Sequence, residues 1–300
     1  MKNNRIIDEN FLSRLEAVSM HMQNPMRGYF GGTHRTKSYG NTVEFADFRE
    51  YQLGDDIRRI DWNLYSRFEK HFIRLFVDEK QMHIQVFLDG SASMFKGDAA
   101  KAHYAMRTAA ALAYLSIRNM DKTTVRLIKD DYAETVGTMM SGKAAFYRGM
   151  GELEQVKFKG EANLDKAITT CLDPGYDDGL TIIISDFFTE SDYKKAVDYL
   201  LFRRRQVMLI QVLSPEEIDP GYSGKRQLLD SEAGDRLDGR NMKMRITRNA
   251  LKNYKRALED YRQELKSYCS SRGVPFFSVS SDETVESLIF GKLNEWEVVR

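Results

Sequence analysis

From Met82 onward the chain alternates strand-length apolar runs with amphipathic helical stretches, and few folds accommodate that rhythm. Ile84, Val86 and Leu88 mark a strand that ends at Asp89. Ala102, Met106, Ala109, Ala113 and Ile117 follow at spacings of three and four, one face of a helix that Asp98 is placed to cap. Residues 123–128 and 132–136, joined by Lys129-Asp130-Asp131, read as a strand pair with a tight turn. Helices are expected over 143–156 and 163–172. Residues 180–185 form a continuous apolar run ending in Asp186, as a strand covered on both faces would. Ser191 is placed to cap the next helix, and 207–213 is another buried strand. Leu251, Tyr254, Leu258, Tyr261, Leu265 and Tyr268 trace a long amphipathic helix that Gly273 and Pro275 terminate. A last strand at 276–279 precedes a final helix opened by Asp282. Such alternation argues for an α/β fold with a doubly wound, mostly parallel sheet.

Residues 1–80 lack this rhythm. Asp8 can cap a first helix with Phe11, Leu12, Leu15 and Val18 on one face. The Gly-rich stretch 28–40 reads as a loop, and 42–77, crowded with aromatics and charges, as short strands and turns. The chain therefore divides into an N-terminal helical and short-strand extension (1–80) and an α/β domain (81–300). A polar, Gly-containing excursion, hairpin-like in composition, interrupts the latter at about 214–247.

Charge narrows the function classes. With 45 basic and 44 acidic residues the formal net charge is +1, so bulk attraction to nucleic acid or acidic lipid is not expected. No run approaches the roughly 20 apolar residues that span a bilayer, and Asp8-Glu9-Asn10 stands where a signal peptide needs its apolar stretch. Cys171 and Cys269 form no C-x-x-C and read as reduced thiols. No membrane insertion and a cytoplasmic location are the resulting expectations.

Asp89 and Asp186 each sit where a buried strand runs out, and ligands of such sheets bind beyond the carboxyl ends of the strands. Two carboxylates at one edge repel unless a cation or proton intervenes. Ser91 and Ser93 add hydroxyl oxygens, and an oxygen-only set of this kind suits Mg2+, with Mn2+ as a substitute. The alternative is a structural hydrogen-bond cluster in which the serines tie down the loop. Asp89-Gly90-Ser91-Ala92-Ser93 resembles the metal-ion-dependent adhesion motif of von Willebrand A domains, a resemblance that extends over about 82–290. It implies a metal held by Asp89, Ser91, Ser93 and Asp186, with a threonine from another loop and a partner's carboxylate completing the sphere. The loop expected to carry the threonine reads Gly160-Glu161-Ala162-Asn163-Leu164. Ala162 has no oxygen to offer, so Glu161 or Asn163 would have to compensate, and Ala162→Thr should raise Mg2+ affinity.

A second block, 43–51 followed by 54–62, reads Val-Glu-Phe-Ala-Asp-Phe-Arg-Glu-Tyr and Gly-Asp-Asp-Ile-Arg-Arg-Ile-Asp-Trp. It resembles the signature of the domain of unknown function 58 family, which places this block directly ahead of a von Willebrand A-like domain. Members are commonly encoded beside MoxR-type AAA+ ATPases, so the resemblance implies an adaptor role with such a partner. Read on its own, the block sets Asp55, Asp56 and Asp61 among Arg58 and Arg59 at spacings that suit bidentate pairs, while Trp62, Phe45 and Phe48 can anchor it to the sheet domain. A structural network is the simpler account, and a docking face for the ATPase the functional one.

The expected function is thus a non-enzymatic, protein-binding adaptor with a divalent-cation site. A metal-dependent phosphohydrolase using Asp89 is the alternative, although its usual second acid two residues on is here Ser91. A nucleic-acid-binding module, marked by salt-sensitive binding, is the third.

Overall fold

The computed structural model describes residues 6–21, 44–77, 82–95, 99–171, 179–189, 191–221, 224–228, 242–246 and 248–293. Asp98, the stretch 28–40 and Leu172 lie outside them, as do the side chains of Val18, Phe45 and Arg59. The chain forms two units, one of Met1–Phe30 with Met82–Arg300 and one of Gly31–Gln81.

The larger unit begins with α1 (Glu9–His21). The Asp8 carboxylate accepts the Phe11 N–H at 2.7 Å, the expected N-terminal cap. Phe11, Leu12 and Leu15 are buried in that unit's core, and the Arg107 guanidinium lies 4.1 Å over the Phe11 ring. The sequence division counted this helix with the extension, but its apolar face is covered by the sheet unit's own side chains.

In the smaller unit, β1 (Glu44–Glu50) pairs antiparallel with β2 (Phe72–Val77) around the short helix α2 (Trp62–Phe68). Asp61 caps α2 through the N–H groups of Asn63 and Leu64, which sets where the helix starts.

The larger unit resumes with β3 (His83–Asp89), α3 (Ala99–Arg118), β4 (Lys122–Lys129), β5 (Tyr132–Met140), α4 (Lys143–Leu153) and α5 (Leu164–Thr169). It continues through β6 (Gly179–Ser185), α6 (Tyr193–Phe202), β7 (Arg205–Leu213) and the one-turn α7 (Pro215–Ile218). Within the excursion β8 (Gly224–Leu228) pairs antiparallel with β9 (Met242–Ile246), and α8 (Arg248–Ser271) and β10 (Phe276–Ser280) complete the frame.

The main sheet runs β10-β7-β6-β3-β4-β5, parallel except at the β4–β5 pair. This is the doubly wound order with an antiparallel edge strand, as expected of a von Willebrand A-type fold. Period-two alternation splits the side chains between two layers. Ile84, Val86 and Leu88 of β3 enter the core that holds α1, α3 and α4 residues, while Phe87 enters the opposite core with Ala196, Val197 and Leu265. Helix α8 is moored by three tyrosines of the stripe noted in the sequence: the Tyr254, Tyr261 and Tyr268 hydroxyls donate to the carbonyls of Glu217, Phe187 and Lys194. Among the described residues no helix is long and apolar enough to cross a membrane.

Two capping expectations shift. Asp192, not Ser191, caps α6 through the Lys194 N–H, while the Ser191 hydroxyl accepts the Leu164 N–H and serves α5. Thr284, not Asp282, caps the final turn, whose Val285, Leu288 and Ile289 are buried as expected.

Candidate functional site

Asp89 closes β3 and Asp186 directly follows β6. Because Leu88 lies opposite Ile184 in adjacent parallel strands, both carboxyls reach one edge of the sheet, at the point where the strand order reverses. Gly90 is required for the path of the loop. A Cβ there would meet the Ile128 carbonyl oxygen at 2.5 Å and Leu127 Cγ at 2.8 Å, and the Gly90 N–H donates to that same carbonyl.

The four residues singled out in the sequence are brought together. Asp89 Oδ1 accepts the Ser91 N–H at 2.9 Å, and its Oδ2 accepts the Ser185 hydroxyl. The Ser91 and Ser93 hydroxyls are 2.9 Å apart, and Ser93 donates to Asp186 Oδ2 at 2.9 Å. The Phe188 N–H donates to Asp186 Oδ1, and Gln211 Nε2 holds the Asp186 carbonyl. Burial, reinforced by the Asp186 charge, pushes the Asp89 carboxyl up to about 6, against the lowering effect of its Ser185 and Ser91 donors.

Two participants were not found in the sequence. Lys101, in the first turn of α3, is 2% exposed, and its Nζ lies 2.7 Å from Asp186 Oδ2 and 2.7 Å from Glu217 Oε1. Burial alone would lower its pKa, but Asp186 and Glu217 outweigh that and hold the ammonium above the usual lysine range. Glu217 sits in α7, where it forms a reciprocal capping box with Ser214. That Ser-x-x-Glu pattern was a usable signal. A lysine among alanines at a helix start offered none.

This donor set fits a divalent ion poorly. Every oxygen of Asp89, Asp186 and Glu217 already accepts from a protein group, and the Asp186 oxygen facing Ser93 is bonded to an ammonium. A hard cation on the same oxygen would have to share it with a like charge. Ala162 is buried, and its carbonyl accepts the Thr189 hydroxyl. The Asn163 side-chain N–H donates to Asp131 at 3.0 Å, and among the described residues its Oδ1 is buried without a partner. Among the described residues no three Asp, Glu, His or Cys side chains converge as metal ligands would.

The signature block lies in the smaller unit, and its charges pair differently from the expected scheme. Asp55 is held in a two-oxygen contact by Arg49, at 2.8 and 2.9 Å, and Asp61 by Arg74 at 3.0 Å. The arginines thus come from the flanking strands, because β1 and β2 carry them onto the turn. Asp56 accepts the Arg58 backbone N–H and fixes the tight turn at Ile57–Arg59, leaving Arg58 exposed. The Trp62 ring makes edge contacts with Tyr65 and His71, yet stays 59% exposed, and Phe48 is exposed as well.

A family model described as protein of unknown function DUF58 matches residues 47–263. Uncharacterised proteins of Mycobacterium tuberculosis and Mycobacterium bovis are each 26% identical over 234 residues, 76% of this chain and 73% of theirs. Among solved structures, BatB from Bacteroides thetaiotaomicron is similar at 15% identity and a TM-score of 0.41, over 73% of this chain and 97% of that one. An aerotolerance-related membrane protein from Bacteroides fragilis is similar at 14% and 0.42, over 73% and 100%. The VWA domain of SpRpn10 is similar at 10% and 0.40, over 71% and 95%. The family match runs from inside β1, through β3 to β7 of the main sheet and the carboxyl-edge loops, into α8, and the chain belongs to the DUF58 family of proteins of unknown function.

Proposed function

We propose that this protein is a non-enzymatic binding module whose partner is an AAA+ ATPase of the MoxR type, and that the smaller unit supplies the docking face. The observation that carries the reading is the exposure of Leu53, Ile57, Trp62 and Phe68, each more than half open to solvent, on a frame fixed by the Arg49–Asp55 and Arg74–Asp61 pairs. Several large apolar side chains left exposed on one small unit favour a protein partner, and tryptophan is among the residues that contribute most when an interface closes over them. A rigid backbone beneath them reduces the ordering cost of binding. The choice of a MoxR-type ATPase rests on the habit of DUF58 proteins of being encoded beside such enzymes.

The test uses the tagged full chain as bait in a lysate of the source organism, beside its Trp62→Ala variant. Wild type is expected to retain a MoxR-type ATPase and the variant to lose it. Equal recovery by both would move the docking face elsewhere, and recovery of no AAA+ ATPase by wild type would sink the assignment.

A further inference from the structure

The carboxyl edge of the sheet holds a buried lysine where its oxygen groups would otherwise call for a metal ion. We propose that Lys101 is the resident cation of this site, so that the loop after β3 is closed by an internal ammonium and the site is shut to divalent ions.

An ammonium has three N–H donors and no acceptor. The surroundings of Lys101 Nζ offer three acceptors: Asp186 Oδ2 at 2.7 Å, Glu217 Oε1 at 2.7 Å and the Ser93 carbonyl at 3.4 Å. These lie in the segments that directly follow β6, β7 and β3, Glu217 in α7, so one cation ties together the ends of three neighbouring strands. Its position is not explained by the helix that carries it. Lys101 is the third residue of α3, where the helix dipole disfavours positive charge. A lysine this deeply buried persists only when its charge is matched. Glu217 is positioned independently of the lysine, since its Oε2 accepts the Ser214 N–H at 2.8 Å and its own N–H donates to Ser214 Oγ. The second carboxylate is therefore preset to receive the ammonium. Ser93 completes the arrangement by giving its hydroxyl to the same Asp186 oxygen that binds Lys101. The alanine at position 162 belongs with it: a ligand hydroxyl is dispensable once the charge comes from the chain itself.

Mn2+, read by electron paramagnetic resonance and by thermal unfolding, is the probe. The full-length wild type is expected to show no saturable Mn2+ binding, and its Tm should move with neither EDTA nor Mn2+. Lys101→Ala should lower the Tm, and millimolar Mn2+ should restore it in a saturable way that adding Asp186→Asn abolishes. Saturable binding by the wild type that requires Asp186 would overturn the proposal, as would a folded Lys101→Ala protein that ignores Mn2+. Should that variant not fold, 15N spectra of lysine side chains in the wild type decide. A slowly exchanging ammonium unaffected by Mg2+ supports the proposal, and its absence refutes it. None of these outcomes depends on the docking partner.

Discussion

The carboxyl edge of the sheet and the signature unit both carry clustered charge, but they use it in opposite ways. At the edge, Asp89, Asp186 and Lys101 are each almost wholly buried, and every charged atom is bonded within the cluster. In the signature unit the charges are partly exposed and brace a turn, leaving Ile57 and Trp62 facing solvent. A cluster with its donors and acceptors matched internally has little left to offer a ligand. A braced turn with bare aromatics is still short of contacts. The part of the chain with the more familiar motif is therefore the more self-contained one.

The two regions should differ most in their response to substitution at Lys101. Lys101→Ala leaves Asp186 buried without its counter-ion, and loss of one partner of such a pair typically costs about 3–5 kcal/mol. Urea unfolding should show a drop of that order. A change under about 1 kcal/mol would mean that water already reaches the pair. Trp62→Ala should do the reverse, costing about 2 kcal/mol or more of partner binding while stability stays within about 0.5 kcal/mol. Isothermal titration with the recovered ATPase and a parallel urea curve separate the two. Gly90→Ala forces a Cβ against the Ile128 carbonyl and should cost about 1–3 kcal/mol. Unchanged unfolding would show that the loop after β3 can shift without harm to the sheet.

The smallest effect expected is one of pH, opposite in sign for the two regions. Asp89 is raised, so the folded state holds its proton more tightly than the unfolded chain. Its contribution improves stability as pH falls from about 6 towards 3.8, and Asp89→Asn should remove that gain. Asp55 is lowered, first by the Gln52 N–H and then by Arg49. Its contribution is present above the unfolded carboxylate range and is lost as pH falls through the folded value. Stability curves of Asp89→Asn and Asp55→Asn across this range should diverge from wild type in opposite directions. Deviations of the same sign would remove the contrast.

Much of this frame was legible in the sequence. The apolar runs ending at Asp89 and Asp186 placed two carboxyls at one edge, and the D-x-S-x-S spacing identified the loop that carries the serines. Periodicity is a property of neighbouring residues, so strands, helices and their order could be read from it. Lys101 could not, because a lysine at the start of a helix reads as a solvent-facing cation until the loops after β6 and β7 fold over it. The arginine partners of Asp55 and Asp61 were misread for a related reason. Arg58 is near in sequence but exposed, and the β1–β2 pairing brings Arg49 and Arg74 to the carboxylates. The caps at Ser191 and Asp282 missed by one and two residues, because a hydroxyl or carboxylate can serve whichever helix its loop presents.

The division of labour between a closed sheet edge and an open signature face is tested most directly by recovering the ATPase on wild-type bait with and without EDTA. Equal recovery is expected under both conditions, with loss only in Trp62→Ala. Recovery that EDTA abolishes and Trp62→Ala leaves intact would contradict it, and would return the binding role to the carboxyl edge.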